Sequence, residues 1–309
     1  MGSSIGDRHA SAMVMVISAM LILPGIDGIA KWLSGSVSSG QVTWSRFFFQ
    51  ILFMAPFLFT TSGQWSGPLL KFHFARGALI AGATLFFFTA LKYLPIADAI
   101  AIFFIEPLLV TLLSALLLGE AIYWRRLSAI GCGFIGAMII IRPAFDEVGV
   151  AALYPVAAAI CFSLYIILTR KLAHREHPVR MQFATGVSGT LFMTVALLFG
   201  DGFEIPVLSI VVPSMSQWAL LALLGLIGTV CHLLVVFAYQ RAPVSVLAPF
   251  QYVEIVGATV LGWALFNDFP DAITWLGIAI IIASGVYVFH RESRLQPHSH
   301  LQRKPPQQN

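Results

Sequence analysis

Glu106 interrupts the apolar run AIFFIEPLLVTLLSALLLGE (residues 101–120), and Glu254 interrupts QYVEIVGATVLGWALFND (residues 251–268). A carboxyl inside such a run can bind and release a proton, or hold a polar group of an organic solute. Each can instead bond to a neighbouring helix and serve only as interhelical glue. On the helical face of Glu106 lie Phe103 and Val110, and on that of Glu254 lie Gln251 and Ala258. An aromatic ring beside a carboxyl suits an organic ligand better than a bare ion, and Tyr252 adds a second ring next to Gln251. Asp27, after Pro-Gly in the first apolar run, either works at the outer mouth or pairs with Lys31 one turn later. His232 either carries protons or is bonded to a neighbour. Glu106, Glu254, Phe103, Gln251, Tyr252, Asp27 and His232 are therefore the candidates for substrate or proton binding.

The elements that carry them must be membrane helices. Of 309 residues 58% are hydrophobic and only 10% charged, and the mean hydropathy is +0.86. A soluble domain has about a quarter of its residues charged. Runs of roughly 20 apolar residues are long enough to cross about 30 Å of hydrocarbon. Ten such runs are read near residues 11–33, 41–61, 72–93, 97–118, 124–142, 150–172, 180–200, 214–240, 246–266 and 272–290. The first is too long for the apolar core of a secretory signal and is read as the first helix. An even number of spans puts both termini on one side. With that side inside, Lys31, Arg46, Lys92 and Arg142 lie outside and the other fourteen of the eighteen Lys and Arg lie inside, so the cytoplasm is expected to hold both ends.

The net charge of +4 reflects this bias, and no basic run interleaved with aromatics points to nucleic acid. Residues 291–309 are expected to form a disordered cytoplasmic tail, with His298 and His300 solvated in it. Cys132, Cys161 and Cys231 lie within spans and none has metal-site spacing, so neither a disulfide framework, a metal nor a cofactor is expected. Catalytic signatures are absent too: there is no GxSxG, P-loop or HExxH, and no GxGxxG opens a helix. His174 and His177 fall in a charged inner loop.

Shifting the chain by 148 residues lays Pro95 on Pro243, Glu106 on Glu254, Thr111 on Thr259, Leu113 on Leu261 and Glu120 on Asp268. Chance apolar similarity accounts for leucines, but not for a proline, a glutamate and an acid repeated at the same steps. The halves are 11–142 and 150–290, joined by PAFDEVG, and five helices in each turn the second copy over. In such inverted repeats substrate sites lie near the midplane, between the repeats. Glu106 then sits roughly 13 Å from the outer end of its helix and Glu254 about 12 Å from the inner end of its own, at 1.5 Å per residue. Holding an ionised group there costs about 2.5 to 3.5 kcal/mol on insertion scales, so such groups face the bundle interior.

Pro107 cannot donate to Phe103, and Pro249 has the same effect before Glu254, so both helices are expected to loosen beside their carboxyls. Asp98 reads as a first-turn acid facing its helix dipole, Arg46 as a snorkelling interfacial anchor, and Glu120 and Asp268 as solvated or loop-paired acids. Gly77 with Ala81, Ala129 with Gly133, Ala258 with Gly262 and Ala279 with Ala283 are expected to allow close helix packing.

With PLLVTLLSALLLGE closing the fourth helix and GCGFIGAMIIIRP forming the fifth, the chain resembles the drug/metabolite transporter superfamily, EamA type. The second half departs from the pattern, with LGWALFNDFPD in place of LLLGE. The resemblance implies an all-α bacterial inner-membrane transporter of ten helices in two inverted repeats, working by alternating access. Family members export amino acids or drugs and import metabolites, which leaves export or import of amino acids, adenosylmethionine, metallophores or drugs as alternatives. The Glu-Pro pair of the fourth helix is most similar to the importers of riboflavin and adenosylmethionine, and aromatic abundance tilts the reading to riboflavin, stacked on Phe103 or Tyr252. A lipid-modifying enzyme would need a catalytic constellation at one membrane face, and a channel would need a continuous polar stripe. Neither is present in the sequence. Monomer and homodimer both remain compatible with it.

Overall fold

A computed structural model describes residues 5–58, 70–118, 124–172, 178–239, 241–242 and 247–295. Among these residues the secondary structure is helical throughout. In chain order the helices are α1 (Ile5–Ile22), α2 (Pro24–Leu33), α3 (Ser39–Leu58), α4 (Leu70–Ala90), α5 (Ile96–Phe103), α6 (Glu106–Leu118) and α7 (Trp124–Val148). A 3-10 turn (Gly149–Leu153) leads to α8 (Tyr154–Leu172), α9 (Pro178–Gly202) and α10 (Met215–Tyr239). After a short 3-10 turn at Pro206–Leu208, a third (Ala248–Tyr252) enters α11 (Val253–Phe266), and α12 (Ala272–Leu295) follows.

Among the described residues, six stretches are long and apolar enough to cross a membrane: Ala10–Leu33, Leu70–Ala90, Ile96–Leu117, Ala144–Thr169, Val179–Gly202 and Met215–Ala238. Leu127–Ile141, Phe250–Phe266 and Ala272–Tyr287 are shorter apolar helices. Helix α3 falls outside both groups because it carries several polar residues, and these point into the protein. Gln41, Thr43, Ser45 and Gln50 are all buried, Gln41 exchanges hydrogen bonds with the backbone of Val211, and Gln50 donates to the carbonyl of Gln182. In a bilayer such groups must find partners within the protein. Large apolar side chains meanwhile cover the outside, among them Leu116, Met138, Leu198 and Phe199.

Prolines break three spans where the cavity described below is walled. Pro24 has no N–H for the carbonyl of Met20, and α1 gives way to α2 at Leu23. Pro107 has none for Phe103, so α5 ends at Phe103 and α6 restarts at Glu106. Pro249 lies in the 3-10 turn that ends two residues before Glu254.

Several expectations are corrected. The segment 143–149 is not an open linker, since α7 runs through it to Val148 and turns at Gly149, whose φ of 63° is the left-handed geometry that glycine tolerates best. Helix α12 extends to Leu295, into the segment read as a tail. Gly77 does pack tightly, against Ser188, and Gly133 against Leu108, but Ala279 and Ala283 are exposed. The close approach on that helix is instead Gly277 against Gly136 of α7, where a Cβ would meet the partner's carbonyl oxygen at 2.8 and 3.0 Å. Glu120, His174, His177, Pro243, His298 and His300 lie outside the described residues.

Candidate functional site

The breaks open onto one cavity of about 240 Å³ in the centre of the bundle. Helices α2 and α3 contribute Asp27 and Arg46, α4 contributes Thr84, Phe87 and Phe88, α5 and α6 contribute Phe103 and Glu106, α10 contributes Cys231 and His232, and the entry to α11 contributes Gln251 and Glu254. Six of the seven candidates are thus brought together, and carboxyls more than two hundred residues apart share one space. Tyr252 is the exception. Its ring packs on Phe104 at 5.1 Å, it is buried, and its hydroxyl points at Gly285 of α12 with no hydrogen-bond partner. A residue in a 3-10 turn advances 120° per position, which explains why neighbours Gln251 and Tyr252 face different ways.

Phe103 stands in a wall of rings, edge-on to Phe87 at 5.4 Å and to Phe162 at 5.5 Å. Such a wall offers faces and edges to a flat ligand. Beneath the break in the α5–α6 helix, the hydroxyl of Ser163 donates to the backbone carbonyl of Glu106 at 3.3 Å, which holds the restart of the helix against α8.

Arg46 changes its role. It lies in the cavity rather than at the interface: Nη1 donates to Thr84 Oγ1 at 2.6 Å, and Nη2 lies 3.5 Å from His232 Nε2. Its charge attracts Asp27, and Asp27 in turn repels Glu254. The sequence carries a signal for this in Ser39, Thr43, Arg46 and Gln50, which repeat at steps of three and four residues and so form a polar stripe on α3. Arg76 is likewise no flanking cation. It is 1% exposed, donates to Thr169 Oγ1 at 2.9 Å, and lies over the ring of Tyr165 at 5.1 Å.

Asp27 does not pair with Lys31. Lys31 Nζ instead contacts Asp268 Oδ2 at 2.6 Å and the carbonyl of Leu94 at 3.0 Å, and it lies over the ring of Phe266. Asp98, in the first turn of α5, feels the charges of Lys31, Asp268 and Asp271 and has a buried Oδ1 without a hydrogen bond. At the start of α12 the Thr274 N–H reaches Asp271 Oδ1 at 2.7 Å and holds that carboxyl below the usual carboxylate range. No cluster of three metal-ligating side chains occurs among the described residues.

A bundle of apolar helices, broken around a central cavity of acids, one guanidinium and aromatic rings, has the form of a membrane carrier for organic solutes. Residues 10–142 and 149–289 each match the EamA-like transporter family, and the chain belongs to that family. It is a multi-pass membrane transporter and not an enzyme. It is 27% identical to an S-adenosylmethionine uptake transporter of Rickettsia felis, over 89% of this chain and 90% of that one. A riboflavin transporter of Rhizobium johnstonii is 28% identical, over 90% and 93%. A pseudopaline exporter of Pseudomonas aeruginosa is 24% identical, over 90% and 95%. A protein of known crystal structure shares the fold, with a TM-score of 0.61 at 20% identity, covering 93% of this chain and 99% of its own.

Proposed function

We propose that the protein is a secondary transporter that takes up a small organic metabolite with a flat ring across a bacterial inner membrane by alternating access. The observation that carries this reading is the shared cavity, in which Glu106 and Glu254 stand beside helix breaks and face the same space from α6 and α11. Ten spans in two inverted halves, 11–142 and 150–290, with both ends in the cytoplasm, complete the reading. The packing supports the two-fold relation. Helix α4 packs on α8 and α9 as α10 packs on α1 and α3, and α6 packs on α8 as α11 packs on α1. The contacts α3 with α9, α5 with α11 and α7 with α12 join helices that the repeat makes equivalent.

Two substrates are supported by relatives' names and by different features of the cavity. Its ring wall suits riboflavin, the reading the aromatic content favours. Its three carboxyls favour adenosylmethionine, which carries a ring together with sulfonium and ammonium charges, and charge decides for it: a cavity lined by acids suits a cationic ligand better than a neutral flavin. The test is uptake of radiolabelled adenosylmethionine and riboflavin into proteoliposomes by wild type, Glu106→Gln and Glu254→Gln. Each substitution is expected to lower uptake at least about tenfold, the loss of one charge-assisted contact. Unchanged uptake with an unchanged pH profile in both variants sinks the reading.

A further inference from the structure

We infer that Arg46, held by Thr84 and backed by His232, is the docking point for a carboxylate on the transported metabolite, so that the cavity takes a zwitterion rather than a neutral or purely cationic ring compound. The inference rests on the transporter reading and gives its site a direction.

The guanidinium is half-buried within the cavity, yet its contacts are the Thr84 hydroxyl and the His232 ring and include no carboxylate. Arginine that is neutralised by a protein carboxylate ordinarily meets it through two parallel hydrogen bonds. Here no ion pair forms with Asp27, its nearest acid by electrostatic effect, and Asp27 is 7% exposed with no hydrogen bond of its own. Asp27 therefore acts at a distance and leaves the fork of Arg46 open to a carboxylate that offers closer contact. Thr84 holds one arm of the fork, and the His232 ring lies beside the other. Glu106 and Glu254 enter the same cavity from α6 and α11. A low-dielectric cavity lined by a guanidinium as well as by acids is best completed by a ligand that carries a carboxylate as well as a cation.

Binding of adenosylmethionine, its carboxamide, methylthioadenosine and riboflavin to the purified protein in detergent, by isothermal titration, tests this directly. Wild type is expected to bind adenosylmethionine about tenfold or more tightly than its carboxamide, the scale of a forked charge-assisted contact. In Arg46→Gln that preference is expected to fall to within about twofold while methylthioadenosine binds as before. If Arg46→Gln does not fold, Arg46→Lys keeps the charge without the fork and is expected to retain only part of the preference. A preference that is the same in the variant as in wild type overturns the inference. Wild type that binds riboflavin and not adenosylmethionine overturns it and leaves the transporter reading standing, whereas wild type that binds none of the four overturns both.

Discussion

Phe103 shows how one side chain serves two structures at once. Its ring closes the aromatic wall between Phe87 and Phe162, and its carbonyl is the one that Pro107 leaves without a helical donor. Replacing it by alanine removes ring-to-ring contacts worth about 0.5 to 1.5 kcal/mol beyond area. Phe103→Ala is accordingly expected to weaken binding of adenosylmethionine or riboflavin by about three- to tenfold and to leave free methionine, which has no ring, unaffected. Equilibrium binding of the three compounds to purified protein measures it, and an equal loss for methionine would show that the ring is structural. At this scale the sequence was most informative about acids, since a carboxylate in hydrocarbon is conspicuous. It misled at Arg46 because a long side chain near a span end reads as a snorkelling anchor, and only the partners on α4 and α10 reveal that it turns inward.

Helix ends place the groups that join distant parts of the chain. Helix α11 finishes with Asn267 in the left-handed conformation, φ 57°, and the N–H groups of Asn267 and Asp268 bond back to the carbonyls of Trp263 and Gly262 at 3.1 Å. This Schellman geometry turns the chain so that Asp268 meets Lys31 of α2. The tie crosses from the first to the second matched region beside the carbonyl of Leu94, just ahead of α5, so it binds three segments at one end of the bundle. Lys31→Ala and Asp268→Ala are each expected to lower the thermal stability of the purified protein, and the exchanged pair, Lys31→Asp with Asp268→Lys, to recover at least half of the loss. A double-mutant cycle is expected to give a coupling of about 1 kcal/mol, the upper end for a partly exposed pair, and a coupling near zero would reduce the contact to a passive one. The proline breaks at this scale were legible, because a missing N–H acts locally. The Gly136–Gly277 approach was not, because spacing within one helix cannot say which neighbour it meets, and Ala279 with Ala283, equally well spaced, faces outward.

For the molecule as a whole, the internal likeness of the chain and its packing each support the inverted arrangement proposed above. The 148-residue shift compares residue types, whereas the exchange of α4–α8 and α4–α9 for α10–α1 and α10–α3 compares neighbours in space. Sidedness has weaker support, since Arg46 and Arg76, two of the eighteen Lys and Arg, lie inside the protein and say nothing about a membrane face. Removing both still leaves the balance inside, because one falls in each group. The inverted arrangement requires more than the right orientation. With an odd number of spans in each half, the junction near Val150 must lie across the membrane from the chain's last residue. Val150 is 70% exposed, so a cysteine there leaves the core undisturbed. With Cys132, Cys161 and Cys231 replaced, Val150→Cys is expected to react with a membrane-impermeant maleimide in intact spheroplasts. A cysteine added after Asn309 is expected to react only once the membrane is opened. Reaction of both in intact spheroplasts, or of neither, would place the junction and the C-terminus on one side and remove the inverted repeat; reaction of the terminal cysteine alone would keep the repeat and reverse the protein in its membrane.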